Sequence, residues 1–128
     1  MELKSNACIF CGLDPRRIID ENEFCIAIQD GFPVTEGHTL VIPKRHVADY
    51  FDLCQREQNA IVSMLQEQRL KIIDGDAAVT GFNVGINVGA SAGQTIFHVH
   101  VHLIPRRDGD VPEPHGGVRG VIPSKQRY

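Results

Sequence analysis

His98-Val99-His100-Val101-His102-Leu103-Ile104 sets three imidazoles in strict alternation with apolar side chains. In an extended strand successive side chains leave opposite faces, so residues i, i+2 and i+4 share one face. The three histidines therefore line one side, and Val99, Val101 and Leu103 pack on the other. A strand needing only a polar outer face would use Thr, Lys or Glu. Three imidazoles in register point to chemistry.

Residues 96–104 read as the last long strand, closed by Pro105. Earlier strands are expected at 24–28, ended by Asp30-Gly31-Phe32-Pro33, at 38–42, stopped by Pro43, and at 81–88. One helix is expected over 55–73, where Ala60, Ile61, Met64, Leu65, Ile72 and Ile73 mostly follow helical spacing, with Asp74-Gly75-Asp76 as its stop. Asp52 is the favoured cap. Cys54 followed by Glu57 is the competing capping box. The order predicts an α+β domain: a mainly antiparallel sheet of about five strands with the long helix packed on it. One sheet face and one edge are expected to stay uncovered, which suggests a homodimer.

The 128 residues suit a single domain, with a core at about 8–107 and a tail at 108–128. Net charge is −3 and uneven: thirteen acidic against eight basic residues up to position 105, then three against five. That argues against nucleic acid as a partner, since broad polyanion binding needs a large basic surface. It leaves room for a small phosphorylated ligand. No apolar run near the N-terminus is long enough for a signal or membrane span, so a cytoplasmic location with reduced cysteines and no membrane partner is expected. Cys25 reads as a small core residue and His115 as a solvated loop residue.

Upstream of the histidines runs Asn87-Val88-Gly89-Ala90-Ser91-Ala92-Gly93-Gln94-Thr95. By itself this is a hairpin loop. Feeding directly into three aligned histidines, it reads better as a phosphate cradle, with consecutive N–H groups forming an anion nest. A neutral imidazole is a good nucleophile towards phosphorus near physiological pH. His100, with a histidine on either side to fix its orientation, is the best placed of the three.

These residues resemble the signature of the histidine triad (HIT) superfamily: His, apolar, His, apolar, His, apolar, apolar. Gly93-Gln94-Thr95 precedes the triad as in that family, and Asp30 with Gly37-His38-Thr39-Leu40-Val41-Ile42-Pro43 resembles its nucleotide-binding strand region. The resemblance covers roughly residues 8 to 107. It implies a nucleotide hydrolase or transferase acting at an α-phosphate. In that reading His100 is the nucleophile, His102 and His38 line the phosphate site and assist the leaving group, and Gln94 and Thr95 contact the α-phosphate. Asp30 would hold ribose hydroxyls, with Asn87 near the nucleotide.

Cys8-Ile9-Phe10-Cys11 gives two thiolates the bite needed for zinc, but a tetrahedral site needs two further ligands. His46 and His98 are the candidates. The resemblance implies the same set, because some HIT proteins carry a structural zinc on two cysteines, the histidine after the Ile-Pro strand end, and the first triad histidine. Otherwise Cys8 and Cys11 are simply packed thiols.

Cleavage of dinucleoside polyphosphates such as diadenosine tri- or tetraphosphate is the leading expectation. It rests on Leu-Ile-Pro-Arg-Arg-Asp-Gly-Asp at 103–110, which resembles the fragile histidine triad branch. Arg106, Arg107 or Arg119 would then meet the distal phosphates. Alternatives are nucleoside phosphoramidate hydrolysis, as in the Hint branch, a nucleotide-binding partner protein, and a cupin-like enzyme using the triad to hold a catalytic ion.

Overall fold

The computed structural model describes residues 8–128. Among them five strands form one antiparallel sheet: β1 (Ile18–Glu21), β2 (Cys25–Gln29), β3 (Thr39–Pro43), β4 (Val79–Gly85) and β5 (Val101–Arg107), in the order β1-β2-β3-β5-β4. The helix α1 (Gln55–Gly75) links β3 to β4 and packs on one face. This is the α+β architecture expected from the sequence.

β2 and β3 read as unbroken apolar runs because both of their faces are buried. Cys25, Ala27 and Val41 pack with Val99, Val101, Ile61 and Met64 beneath the helix. Ile26, Ile28, Leu40 and Ile42 pack on the opposite face against Phe10, with Leu13 and Ile18 beside them. The N-terminal segment therefore covers part of the sheet face that was expected to be bare. Along α1, the buried stripe Glu57, Ile61, Met64 and Gln68 follows the 3-4-4 spacing of one helical face. Its two polar members are satisfied: Glu57 accepts from Arg45 at 2.8 and 3.1 Å, and Gln68 Nε2 donates to Asp20 at 2.9 Å.

Strands β2 and β3 lie one residue later than expected and the helix ends two residues later, while β1, β4, the helix cap and β5 differ more. β1 was not expected, since its Ile-Ile-Asp-Glu is short and half charged, as suits an edge strand. β4 lies two to three residues earlier than 81–88. The helix is capped at Cys54, whose N–H donates to Glu57 Oε1 at 3.0 Å, and not at Asp52. Asp52 instead ends a separate 3-10 turn, Tyr50–Asp52, capped by Asp49.

β5 differs most. Its ladder with β3 starts only at Val101, opposite Val41, because Pro43 offers no N–H and its carbonyl is taken by the His98 ring. Pro105 lies inside the strand and does not close it. There β5 pairs with β4 alone (Pro105 opposite Phe82), and the Pro105 carbonyl accepts from Thr35 Oγ1 at 2.7 Å. A proline is tolerated where one side of the strand has no ladder.

Candidate active site and metal centre

Register decides what meets the histidines. Ile18, Ile28, Leu40, His102 and Gly85 are successive partners across the sheet, so His102 lies on the face away from the helix. Val99 and Val101 are in the core under α1, while Phe10 packs edge-on against His98 and His100 at 5.9 and 5.2 Å. The alternation read from the sequence thus holds, even though residues 98–100 lie outside the ladder.

The three imidazoles nevertheless have separate surroundings. The His100 Nδ1–H donates to the His98 carbonyl at 2.9 Å. A carbonyl can only accept, so the ring's lone pair falls on Nε2. His38 Nδ1 accepts from the Val34 N–H at 3.1 Å, which puts the proton on His38 Nε2 and directs it to His102 Nδ1, 2.9 Å away. His102 then carries its own proton on Nε2. Asp30 Oδ2 is 3.4 Å from His38 Nε2, and Asp30 Oδ1 accepts from the Phe32 N–H at 2.8 Å. Burial pushes the proton affinity of both His38 and His102 down, with Asp30 opposing it in each case. Burial therefore favours the neutral form of this linked pair over the charged one in the free protein. Together these groups offer a nucleophilic nitrogen (His100) and a proton carrier (His102) backed by a second ring and a carboxylate.

The loop before the triad is organised by Gln94. Its Nε2 donates to Ala48 O (2.8 Å) and Ile96 O (3.2 Å), and its Oε1 accepts from the Gly89 N–H (2.9 Å). Gly89 and Gly93 both have positive φ, the region glycine enters without strain. The Gln94 side chain is therefore spent on shaping the loop, while Thr95 is exposed and Asn87 lines the adjoining cavity.

Cys8, Cys11, His46 and His98 come together, with one donor atom from each lying within 4.8 Å of the others. His98 is almost wholly buried, and its Nε2–H donates to Pro43 O at 2.7 Å, which turns the Nδ1 lone pair towards the sulfurs. The S–N separations are 3.2, 3.4 and 3.6 Å. A tetrahedral zinc at ordinary Zn–S and Zn–N distances would set this edge at about 3.6 Å. The donor set fits such an ion. Burial holds His98 below the usual histidine range, the neutral state a ligand needs. Asp30, His38 and His102 form a separate three-donor group. The triad imidazoles thus do not converge on one point, as a catalytic ion held by all three would require.

Arg106, Arg107 and Arg119, expected at distal phosphates, all have partners within the chain. Arg106 makes a two-bond pair with Asp110 at 2.7 and 2.8 Å and donates to Asn83, holding the Asp110 carboxyl far below the usual range. Arg107 pairs with Asp76 and donates to Glu36 O. Arg119 donates to Gln126 O and Lys125 O and stacks on Tyr128. The geometry therefore does not present these arginines to distal phosphates. His115 is exposed, with its ring 4.8 Å from that of Tyr128.

Sequence reasoning missed the two backbone carbonyls, of Pro43 and His98, that fix the ring tautomers. It also missed Val34, whose N–H orients His38. The only hint was the Phe32-Pro33-Val34 turn leading into the second strand.

An uncharacterised HIT-like protein of Mycoplasma genitalium is 42% identical over 106 residues, covering 80% of this chain and 74% of that protein. The adenylylsulfatase HINT3 of Arabidopsis thaliana is 38% identical over 112 residues, 82% of this chain and 55% of the relative. Among solved structures, a zinc-bound histidine triad family protein from Mycobacterium smegmatis superposes with a TM-score of 0.75 at 37% identity, covering 84% of this chain and 80% of its own. The HIT domain matches residues 13–109. With the triad, its preceding loop and the Cys/His cluster in place, the chain belongs to the HIT family.

Proposed function

We propose that this chain hydrolyses nucleotides at the α-phosphate through a nucleotidyl intermediate on His100. One observation carries the reading: the His100 Nδ1–H is fixed on the His98 carbonyl, which commits the Nε2 lone pair to attack. In the first step an Nε2–P bond forms while the bond from phosphorus to the leaving group breaks. The bonding pair departs on the leaving atom, which takes the His102 Nε2 proton from the His38–His102 pair in its singly protonated, cationic form, stabilised by Asp30 and by the anionic phosphoryl oxygens, and that pair is left neutral. In the second step water bonds to phosphorus, the P–N bond to His100 breaks, and a water proton passes to His102. His38 and Asp30 hold His102 in the tautomer that donates. Backbone amides of the loop at 89–95 stabilise charge on the phosphoryl oxygens, and Thr95 adds a donor. Asp30 and Asn87 bind the nucleoside, and Gln94 acts by holding the loop.

Dinucleoside polyphosphates and nucleoside phosphoramidates both satisfy this chemistry. The internal pairing of Arg106, Arg107 and Arg119 favours the phosphoramidate class. A structural zinc on Cys8, Cys11, His46 and His98 would close the N-terminal knuckle against β3 and the triad. A second copy of the chain is proposed to pair along the outer edge of β4, where light scattering should report twice the 14.2 kDa chain mass. Intact mass spectrometry after rapid acid quench should show His100 carrying one nucleoside monophosphate. Turnover without any such adduct would overturn the covalent reading.

A further inference from the structure

We infer that Phe10 is a positioning residue for the nucleophile, a role that rests on the nucleotidyl-transfer reading above. Its ring holds the His100 imidazole in the plane that keeps Nδ1–H on the His98 carbonyl and leaves Nε2 for phosphorus. His100 is bounded by two rings. The Phe10 centroid lies 5.2 Å away with the planes at 63°, and the His102 centroid lies 5.3 Å away, also at 63°. Both are edge contacts at separations where ring pairs attract beyond the area they bury.

The hydrogen bond to the His98 carbonyl does not lock this ring alone. The torsion about the histidine Cβ–Cγ bond is broad and roughly two-fold. A half-turn would set Cδ2 against the carbonyl and Cε1 where the attacking lone pair belongs, so that orientation is inert. Smaller rotations keep the correct nitrogen but bend the Nδ1–H···O contact of 2.9 Å and swing Nε2 off its line of attack. The two restraints are complementary. The carbonyl selects between the two orientations that share a plane, and Phe10 with His102 selects the plane.

Phe10 is itself held from both sides. It is buried against Ile26, Ile28, Leu40 and Ile42, and its ring stands perpendicular to that of His98 at 5.9 Å. In the chain it lies between Cys8 and Cys11. That turn is closed by the Gly12 N–H donating to the Cys8 carbonyl at 3.0 Å and the Cys11 N–H donating to Cys8 Sγ at 3.5 Å. The two sulfurs in turn meet the His46 and His98 rings. The sulfur cluster and the sheet face thus fix one aromatic ring against the nucleophile.

The test compares the native chain with Phe10→Leu, which stays apolar but loses the ring, and Phe10→Tyr, which keeps it; Phe10→Met replaces the leucine variant if that does not fold. Substrates are diadenosine tetraphosphate and the methylamine phosphoramidate of AMP. With metal content matched, Phe10→Leu should lose about tenfold in kcat while KM stays within about twofold, and Phe10→Tyr should recover most of the loss. Nitrogen NMR of histidine-labelled protein, in alkaline buffer where imidazole is neutral, should show native His100 as the single Nδ1–H tautomer with slow proton exchange. Phe10→Leu should show mixed tautomers or fast exchange. A native kcat in Phe10→Leu, a loss confined to KM, no recovery in Phe10→Tyr, or reduced kcat with an unchanged His100 spectrum would overturn the role. If the native chain turns over neither substrate, the proposed function has failed. The His100 spectra then judge Phe10 alone: a change in Phe10→Leu supports its role, and an unchanged spectrum rejects it.

Discussion

The backbone carbonyl of His98 accepts the Nδ1–H of His100 at 2.9 Å, while the His98 ring faces Cys8 and Cys11. One residue thus serves two sites, its side chain completing the sulfur cluster and its main chain setting the tautomer of its neighbour. The candidate metal ligand His98 is thus only two residues away from the proposed nucleophile.

Replacing His100 by Asn removes the nucleophilic ring at a half-buried position. We expect kcat/KM to fall by about 10⁴ or more, with no nucleotidyl adduct and a melting temperature within about 2 °C of native. Steady-state kinetics and intact mass check this. Retained turnover would place the nucleophile elsewhere.

Elemental analysis of the purified protein should find one zinc per chain, absent in Cys11→Ala. The variant should melt more than about 5 °C lower, since a site formed only in the fold adds its binding energy to stability. Because His98 O orients His100, adduct formation should also slow in the metal-free protein. An unchanged melting temperature after complete zinc loss would contradict the structural role.

Gln94→Ala removes three hydrogen bonds to backbone groups of the loop and its neighbours. Denaturant titration should show a loss of about 1–3 kcal/mol, and amide exchange at Gly89 should quicken. Gln94→Glu should be worse, because it sets a carboxylate against the Ala48 and Ile96 carbonyls. If neither change affects the loop, Gln94 is instead available to substrate.

Stability should fall on acidification. Free histidine takes a proton near pH 6.5, whereas burial keeps His38 and His102 neutral to lower pH in the fold. Between those limits the unfolded chain binds more protons. The stability present above pH 6.5 is therefore lost as pH drops through the window, by at most about 1.4 kcal/mol per pH unit for each ring. Denaturation midpoints at pH 7.5, 6.0 and 5.0 measure this, and His38→Gln should flatten the profile. A fold that grows more stable in acid would contradict it.

Much of the fold is legible in the order of residues alone. The alternation from His98 to Leu103 fixed which side chains share a face, because strand periodicity is a local property that survives even where the ladder is interrupted. The apolar runs at 25–28 and 39–43 and the spacing along 55–75 were enough for an α+β sheet with one helix, and CxxC with two histidines was enough for a metal set. Tertiary structure decided the rest. Tautomers depend on the Pro43 and His98 carbonyls and the Val34 N–H, and backbone groups look alike in every sequence. The Gln94 side chain, expected at a phosphate, bonds backbone groups of Ala48, Gly89 and Ile96 that come within its reach only in the fold. Arg106, Arg107 and Arg119 read as available charge until Asp110, Asp76 and Tyr128 met them. The cavity wall formed by Val118 and Val121 exists only because the tail folds back against β4, a long-range closure that no local pattern encodes.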